Sequence, residues 1–276
     1  MTRTFREGYM GMPPEDASRT QLTGLHSTQD AYGVKVDDTL NPVVNHYGDT
    51  VPTDDLLFWY DPNITSTISG STVKNAIDPN NSSQNGTWTT TPSTGTDSGK
   101  TYWDITTHRL DVGPSNSYGF TTGTSNAFTI FTQFKRDSLQ NSQWILFDRD
   151  GTYNGSSTQD RAIFCHLWGD AKIYFDTNAN GSQYNRYYTG GVVSTNTWYT
   201  LICTQSGSSK AIYLNNSSQS VTTSNATLNN LVLGSAVGRL GCPYGTSVDS
   251  KFTVFGAYNK VLNATERQAL HNAIRV

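Results

Sequence analysis

Glutamate is nearly missing from this 276-residue chain: Glu7, Glu15 and Glu266 are all there is, and none lies between residues 16 and 265. Charge of either sign is sparse, at 15% of residues, and the 19 Lys and Arg are scattered singly under a net charge of -3. Without a basic block there is no electrostatic footprint for neutralising phosphates, so no nucleic-acid partner is expected. No run approaches the ~20 apolar residues that a bilayer span requires, so no membrane partner is expected either. The N-terminal MTRTFREGYMGMPPEDASR has neither the apolar core nor the small-residue cleavage pattern of a secretory signal, and export is not expected. Cysteine is scarce too: Cys165, Cys203 and Cys242 lack CxxC spacing, and two sit inside the apolar runs IFCHL and LICT. Buried reduced thiols, in a chain folded in a reducing cytoplasm, are the expectation.

What fills the chain instead is Gly, Ser, Thr, Asn and Tyr, the vocabulary of a turn-rich β protein. The length suits one large domain with at most a smaller appendage. Residues 1–50 carry Pro13-Pro14, several glycines and isolated charges, with no period of 2 or 3.6. Such a stretch should not fold alone, and it is read as an extended arm that gains its contacts on neighbouring subunits, with an arm packed back onto its own domain as the alternative. Residues 51–276 are read as the folded domain. There, short apolar or alternating runs alternate with polar turns, among them LLFWY (56–60), FTIFTQF (128–134), RAIFCHL (161–167), AKIYFD (171–176), TWYTLICT (197–204) and KFTVFGAY (251–258). RAIFCHL and AKIYFD should form a hairpin through Trp168-Gly169-Asp170, with Ile173 and Phe175 on one face and Lys172, Tyr174 and Asp176 on the other. At the C-terminus, Asn263-Ala264-Thr265-Glu266 spells a capping-box variant before Ala269, Leu270, Ala273 and Ile274 at helical spacing, which predicts one short helix.

Two blocks carry a family resemblance. Thr197-Trp198-Tyr199-Thr200-Leu201 followed by Lys210-Ala211-Ile212-Tyr213-Leu214-Asn215-Asn216 resembles the tryptophan-led hairpin of the laminin-G-like, concanavalin A-like jelly rolls, with Asn216 where a turn glycine is usual. FTVFGAYNKVLNATERQAL is similar to the last strand and terminal helix of that family, and LLFWYDPN through TYWDI resembles the opening of its phage-encoded members. The resemblance covers roughly residues 56–276. It implies an all-β fold: a two-sheet antiparallel jelly-roll sandwich with an extended N-terminal arm and one short C-terminal helix. Such folds host enzymes, lectins and structural parts, so function has to come from a site.

The glucanase branch of the superfold uses two closely spaced carboxylates, commonly glutamates on one strand, which this chain cannot supply. Asp148 and Asp150 share a strand face but end in a turn, so they are read as turn caps. Thr94 to Thr101 comes near a phosphate-binding loop yet runs into a strand instead of a helix, and is read as a surface turn. Asp176-x-Asn178-x-Asn180-Gly181 has the first half of a calcium loop, but Tyr187 stands where the bidentate glutamate belongs. A hairpin turn is the first reading, and a weak calcium site shared with Asp148 or Asp170 the second; no cofactor is otherwise expected. The histidines show no metal-ligand spacing, with His166 read as an exposed or hydrogen-bonded edge residue, and Cys165 and His166 fall on opposite strand faces. No catalytic residue and no metal ligand are therefore assigned.

One segment could bind something: the loop Gln183 to Tyr188, whose Tyr184, Tyr187 and Tyr188 beside Arg186 offer flat apolar faces and donors for a sugar ring or a protein, joined by Trp168. The expected function is a non-enzymatic bacteriophage virion structural protein, a capsid decoration or head-fibre component. It would be assembled in the host cytoplasm, attached to other virion proteins through residues 1–50, homo-oligomeric on the particle, and would display its jelly roll outward. No heptads or fibrous repeats precede the domain, which favours head over tail. The alternative is a glycan-binding lectin-like adhesin, a tail fibre or host-attachment protein, that recognises host surface polysaccharide.

Overall fold

The computed structural model describes residues 42–47, 51–138, 142–147, 162–180, 183–224, 231, 233–235, 237–242 and 249–276. These form a sandwich of two antiparallel sheets. Sheet 1 runs in the order β15 (Ser217–Ser218), β14 (Ser209–Leu214), β13 (Trp198–Ser206), β8 (Ala127–Arg136), β18 (Ser250–Tyr258), β6 (Lys100–Ile105) and β5 (Ser93–Asp97), and β1 (Leu56–Tyr60) also pairs with β18. Sheet 2 runs β16 (Val221–Ser224), β12 (Gln183–Thr189), β11 (Ile173–Asn180), β10 (Ile163–Leu167), β9 (Ser142–Phe147), β17 (Gly238–Gly241), β7 (Arg109–Val112), β4 (Gly86–Trp88), β3 (Thr72–Val73) and β2 (Ile68–Ser69). No helix among the described residues is long and apolar enough to cross a membrane.

The near-continuous apolar runs at the centre of sheet 1 have a physical reason: both faces are covered there. One face packs on sheet 2 through Phe128, Phe134, Trp144, Phe175 and Phe252. The other is closed by two helices, α1 (Pro42–Tyr47) and α2 (Ala264–Ile274), whose Val43, Leu270 and Ile274 are buried with Trp59, Phe131 and Tyr258. Helix α2 starts where the sequence puts it. The Asn263 side chain accepts from the amides of Thr265 and Glu266 at 2.9 and 3.0 Å, and Glu266 returns a bond to the Asn263 amide at 2.8 Å.

Helix α1 lies inside the stretch read as an arm, yet it packs on the sandwich. Tyr47 sits against Trp59 at 5.3 Å between ring centroids and donates its hydroxyl to Asp61. The same buried carboxylate accepts from Trp59 Nε1 at 3.0 Å and from both nitrogens of Asn63 at 2.7 and 2.8 Å, so one side chain clasps the helix, the end of β1 and the next turn. Residues 1–41 and 48–50 of the expected arm lie outside the described residues.

Local backbone chemistry accounts for the turns. The hairpin of β14 and β15 closes with Asn215 and Asn216 at φ 49° and 61°, the left-handed pair that a two-residue turn demands, and asparagine tolerates it best after glycine. Residues 94–101 are a β5–β6 hairpin turning at Ser98-Gly99, a more regular element than the surface turn expected there. In sheet 1, Gly256 on β18 faces both Trp59 and Phe131 across the ladder, and the Phe131 ring lies over its bare Cα.

Cys165, Cys203 and Cys242 are free and buried. The Cys203 thiol and burial together push the Cys165 thiol well above its ordinary range, so it is inert as a nucleophile. Beside this pair the fully buried Lys210 reaches from β14 into sheet 2, donating from Nζ to the carbonyls of Phe175 at 3.2 Å and Asn185 at 2.5 Å.

Candidate functional site

The outward face of β10, β11 and β12 is built by strand alternation. Ile163, Cys165, Leu167, Ile173 and Phe175 enter the core, which leaves Phe164, His166, Tyr174, Asp176, Arg186 and Tyr188 on the opposite face. The register then sets His166 beside Tyr174 and Tyr174 beside Tyr188, one ring per strand. Ring centroids are 4.9 Å apart at 2° for the first pair and 5.3 Å at 21° for the second, and Phe164 stacks on His166 at 4.3 Å. These rings stand on the sheet as cross-strand pairs, so each spends its faces on its neighbours.

Trp168 breaks that pattern. It sits in the turn after β10, where the Ala171 amide bonds back to its carbonyl, and leans at 40° and 39° against His166 and Tyr174. It is 44% exposed, the most open Phe, Trp or Tyr among the described residues. Beyond Tyr188 the edge strand β16 adds exposed hydroxyls: Thr222 pairs with Tyr188 and Ser224 with Arg186.

The charges on this face are internally matched. Asp176 accepts from Arg186 Nε at 2.9 Å and Nη2 at 2.6 Å, a bidentate pair whose carboxylate is buried, and the guanidinium lies 5.2 Å from the Tyr174 ring centroid. Asp170 meets Lys172 Nζ at 3.2 Å and also accepts from the Lys172 amide and the Tyr174 hydroxyl. Partial burial acts upward on the Asp170 carboxyl, but the Lys172 amide, the Tyr174 hydroxyl and the ammonium outweigh it and hold its pKa below the ordinary value. Burial and the bond to Asp170 push the Tyr174 hydroxyl up to about 12, so it remains a donor at neutral pH. Lys172 also lies 5.6 Å from the Tyr188 ring centroid.

Of the residues singled out in the sequence, Trp168, Arg186 and Tyr188 share this face. Tyr187 does not: the segment read as a loop is strand β12, and alternation turns Tyr187 to the core side, where its hydroxyl donates to Ser208 O at 3.3 Å and Lys210 Nζ lies 5.7 Å from its ring centroid. Tyr184 is on β12 opposite Asn178, and its side chain lies outside the described residues. The calcium reading loses its geometry for the same reason. Asp176, Asn178 and Asn180 are spaced along one strand, roughly 7 Å per step, too far apart to converge on one ion, and Asp176 is committed to Arg186. Asp170 stands beyond the other end of β11, Asp148, Asp150 and Gly181 lie outside the described residues, and among the described residues no group of three His, Cys, Asp or Glu could hold a metal. His166, expected as an exposed or hydrogen-bonded core-edge residue, is not exposed: it is buried between Phe164 and Tyr174. The residues missed were Phe164, Tyr174, Asp170 and Lys172; the hairpin through Trp168 was the signal that could have placed them.

The chain belongs to the concanavalin A-like lectin/glucanases superfamily, whose laminin G model matches residues 97–266. It is thus a lectin-like jelly roll. Among solved structures it is similar to Trypanosoma rangeli sialidase, with TM-score 0.58 and 12% identity over 84% of this chain and 37% of that one. It is also similar to the binding domain of Paraclostridial Mosquitocidal Protein 1 (TM-score 0.58, 14% identity, 79% of this chain and 52% of that one). A third likeness is to the receptor binding domain of botulinum neurotoxin C/D mosaic serotype (TM-score 0.54, 10% identity, 79% and 51%). At these identities the likeness shows the fold alone, and the chain spans about a third of the sialidase and half of the toxin domains. No curated protein sequence matches it.

Proposed function

We propose that this protein is a non-enzymatic recognition module in which the outward face of β10 to β12 engages surface carbohydrate through Trp168. The observation that carries this reading is the exposed indole: an open aromatic face at the end of a packed ring ladder, beside the Asp170–Lys172 pair, with the Thr222 and Ser224 hydroxyls across the sheet on β16. An exposed indole costs solvation, and a sugar stacks its apolar C–H face on such a ring while its hydroxyls meet the flanking polar groups. Two features speak against catalysis at this face. Its carboxylates are each bound to a cation, and no glutamate lies on any described strand. The toxin neighbours, described as binding domains, are in keeping with a binding role.

Trp168→Ala is expected to weaken binding to immobilised host-cell polysaccharide roughly thirtyfold, about 2 kcal/mol, with the melting temperature nearly unchanged because the indole is largely exposed. Undiminished binding by the variant would sink the assignment of this face.

The setting we propose is a bacteriophage virion assembled in the host cytoplasm, on which copies of the chain act as a capsid decoration or head-fibre component held through the N-terminal arm. This part rests on the resemblance of LLFWYDPN and TYWDI to phage-encoded jelly rolls and on the composition of residues 1–41. Because α1 packs on the sandwich, the anchoring test removes residues 1–41 and leaves α1 in place. The full chain is expected to co-sediment with particles stripped of it, and the shortened one to remain in the supernatant; equal sedimentation of both overturns the anchor.

A further inference from the structure

We infer that the carbohydrate taken by the Trp168 face is a neutral one, a hexose or N-acetylhexosamine polymer, and that the site rejects sialylated and uronic-acid sugars. The inference rests on the reading of this face as a sugar site and adds its specificity. Recognition of an acidic sugar calls for a cation free to meet a carboxylate, usually an arginine fork. Each cation near Trp168 among the described residues is already taken from within the sheet. Arg186 is held by both oxygens of Asp176 at 2.9 and 2.6 Å, in a pair whose side chains are only 16% and 3% exposed. Pulling the guanidinium toward a ligand would strand a buried carboxylate, a costly exchange.

Lys172 is the more accessible cation, but it faces Asp170 at 3.2 Å, and Asp170 is fixed by the Tyr174 hydroxyl at 2.9 Å as well as by the Lys172 amide at 3.1 Å. An anionic sugar stacked on Trp168 would therefore approach an ionised carboxylate two residues away in the same turn. Like charges at that range discriminate against the ligand. What remains available is a flat apolar face and a row of hydroxyls at Thr222 and Ser224, which suits a sugar whose polar groups are all uncharged.

The test is retention of the full chain on immobilised dextran, mannan, galactan and N-acetylchitooligosaccharide against alginate, hyaluronan and polysialic acid, at low and high salt. At least one neutral polymer is expected to retain the protein roughly tenfold more strongly than any acidic one, with little change on adding salt. Preferential retention on an acidic polymer that salt abolishes overturns the inference while leaving the face a sugar site. No retention on any polymer overturns the recognition reading itself, and this inference with it. Asp170→Asn, which releases Lys172, is expected to raise retention on the acidic polymers about fivefold; no gain would show that charge matching does not set the specificity.

Discussion

Gly256→Ala is expected to destabilise the protein by about 3 kcal/mol, lowering its melting temperature by roughly 5–10 °C. A Cβ at this position would stand 2.1 Å from Cζ and 2.5 Å from Cε1 of Phe131. The ring has nowhere to go, since it is fully buried between Trp59 at 5.0 Å and Tyr258 at 5.6 Å. An aromatic side chain laid over a cross-strand glycine repairs the packing that glycine cannot provide, and in exchange it fixes glycine there. Urea denaturation of the two single variants and Gly256→Ala/Phe131→Leu checks the cause. If the clash is responsible, the alanine costs much less once the ring is gone; full additivity would place the effect in the β18 backbone instead.

Stability is also expected to rise with pH from about 7 to about 8.5, by up to about 2 kcal/mol, because of Lys210. Burial lowers its pKa to about 7, with Asp176 and the thiols of Cys203 and Cys165 acting against that shift and Arg186 with it. The sign follows from which state holds the proton. Between pH 7 and the ordinary lysine value the unfolded chain keeps Lys210 charged while the folded chain has released its proton, so raising the pH favours the folded state. Below about 7 both states are charged and this contribution is absent. Above about 8.5 the Cys165 thiol, held protonated in the fold, offsets the rise, and above about 10 the trend reverses, since burial raises the phenols of Tyr60, Tyr118 and Tyr258 and the unfolded chain then loses protons that the folded one keeps. Denaturation midpoints across this range should show the rise in the natural protein and a flat profile in Lys210→Met. An equal rise in the variant would assign the effect to other groups.

The same lysine explains what the sequence hid. Strands β1, β8, β13 and β18 announce themselves because both faces at the centre of sheet 1 are dry, and α2 because Asn263 and Glu266 write its cap in four letters. Strand β12 gave no such signal: its core-side residues are Asn185, Tyr187 and Thr189, polar groups where alternation should show apolar ones. They are tolerated there because the inside of the sandwich at that edge is organised around the buried Lys210 amine. Lys210 takes the Asn185 carbonyl, and the Thr189 hydroxyl accepts from the Ile173 amide at 3.0 Å. Strand β5 was hidden differently, since both its faces are largely exposed and only Gly95 is tightly packed, beneath the Tyr102 ring. At the candidate site Trp168, Arg186 and Tyr188 were legible as residue types, but the loop assignment grouped Tyr187 with them. The ring ladder could be read only through register, which sets His166 against Tyr174 from eight residues away.

The closure of sheet 1 by α1 and α2 gives the molecule a front and a back. Clasped by Asp61, the chain passes into the sandwich on the side that the helices cover, and the indole looks out from the opposite sheet. Copies tethered through that covered side would all turn the same face outward, so a contact too weak to hold one copy would hold many. With neighbours spaced to reach one polymer at once, the gain in apparent affinity is roughly a hundredfold or more without any new contact. In the proposed array a single indole per copy would then be enough, and its weakness would be useful: each contact would release quickly while the array stayed bound.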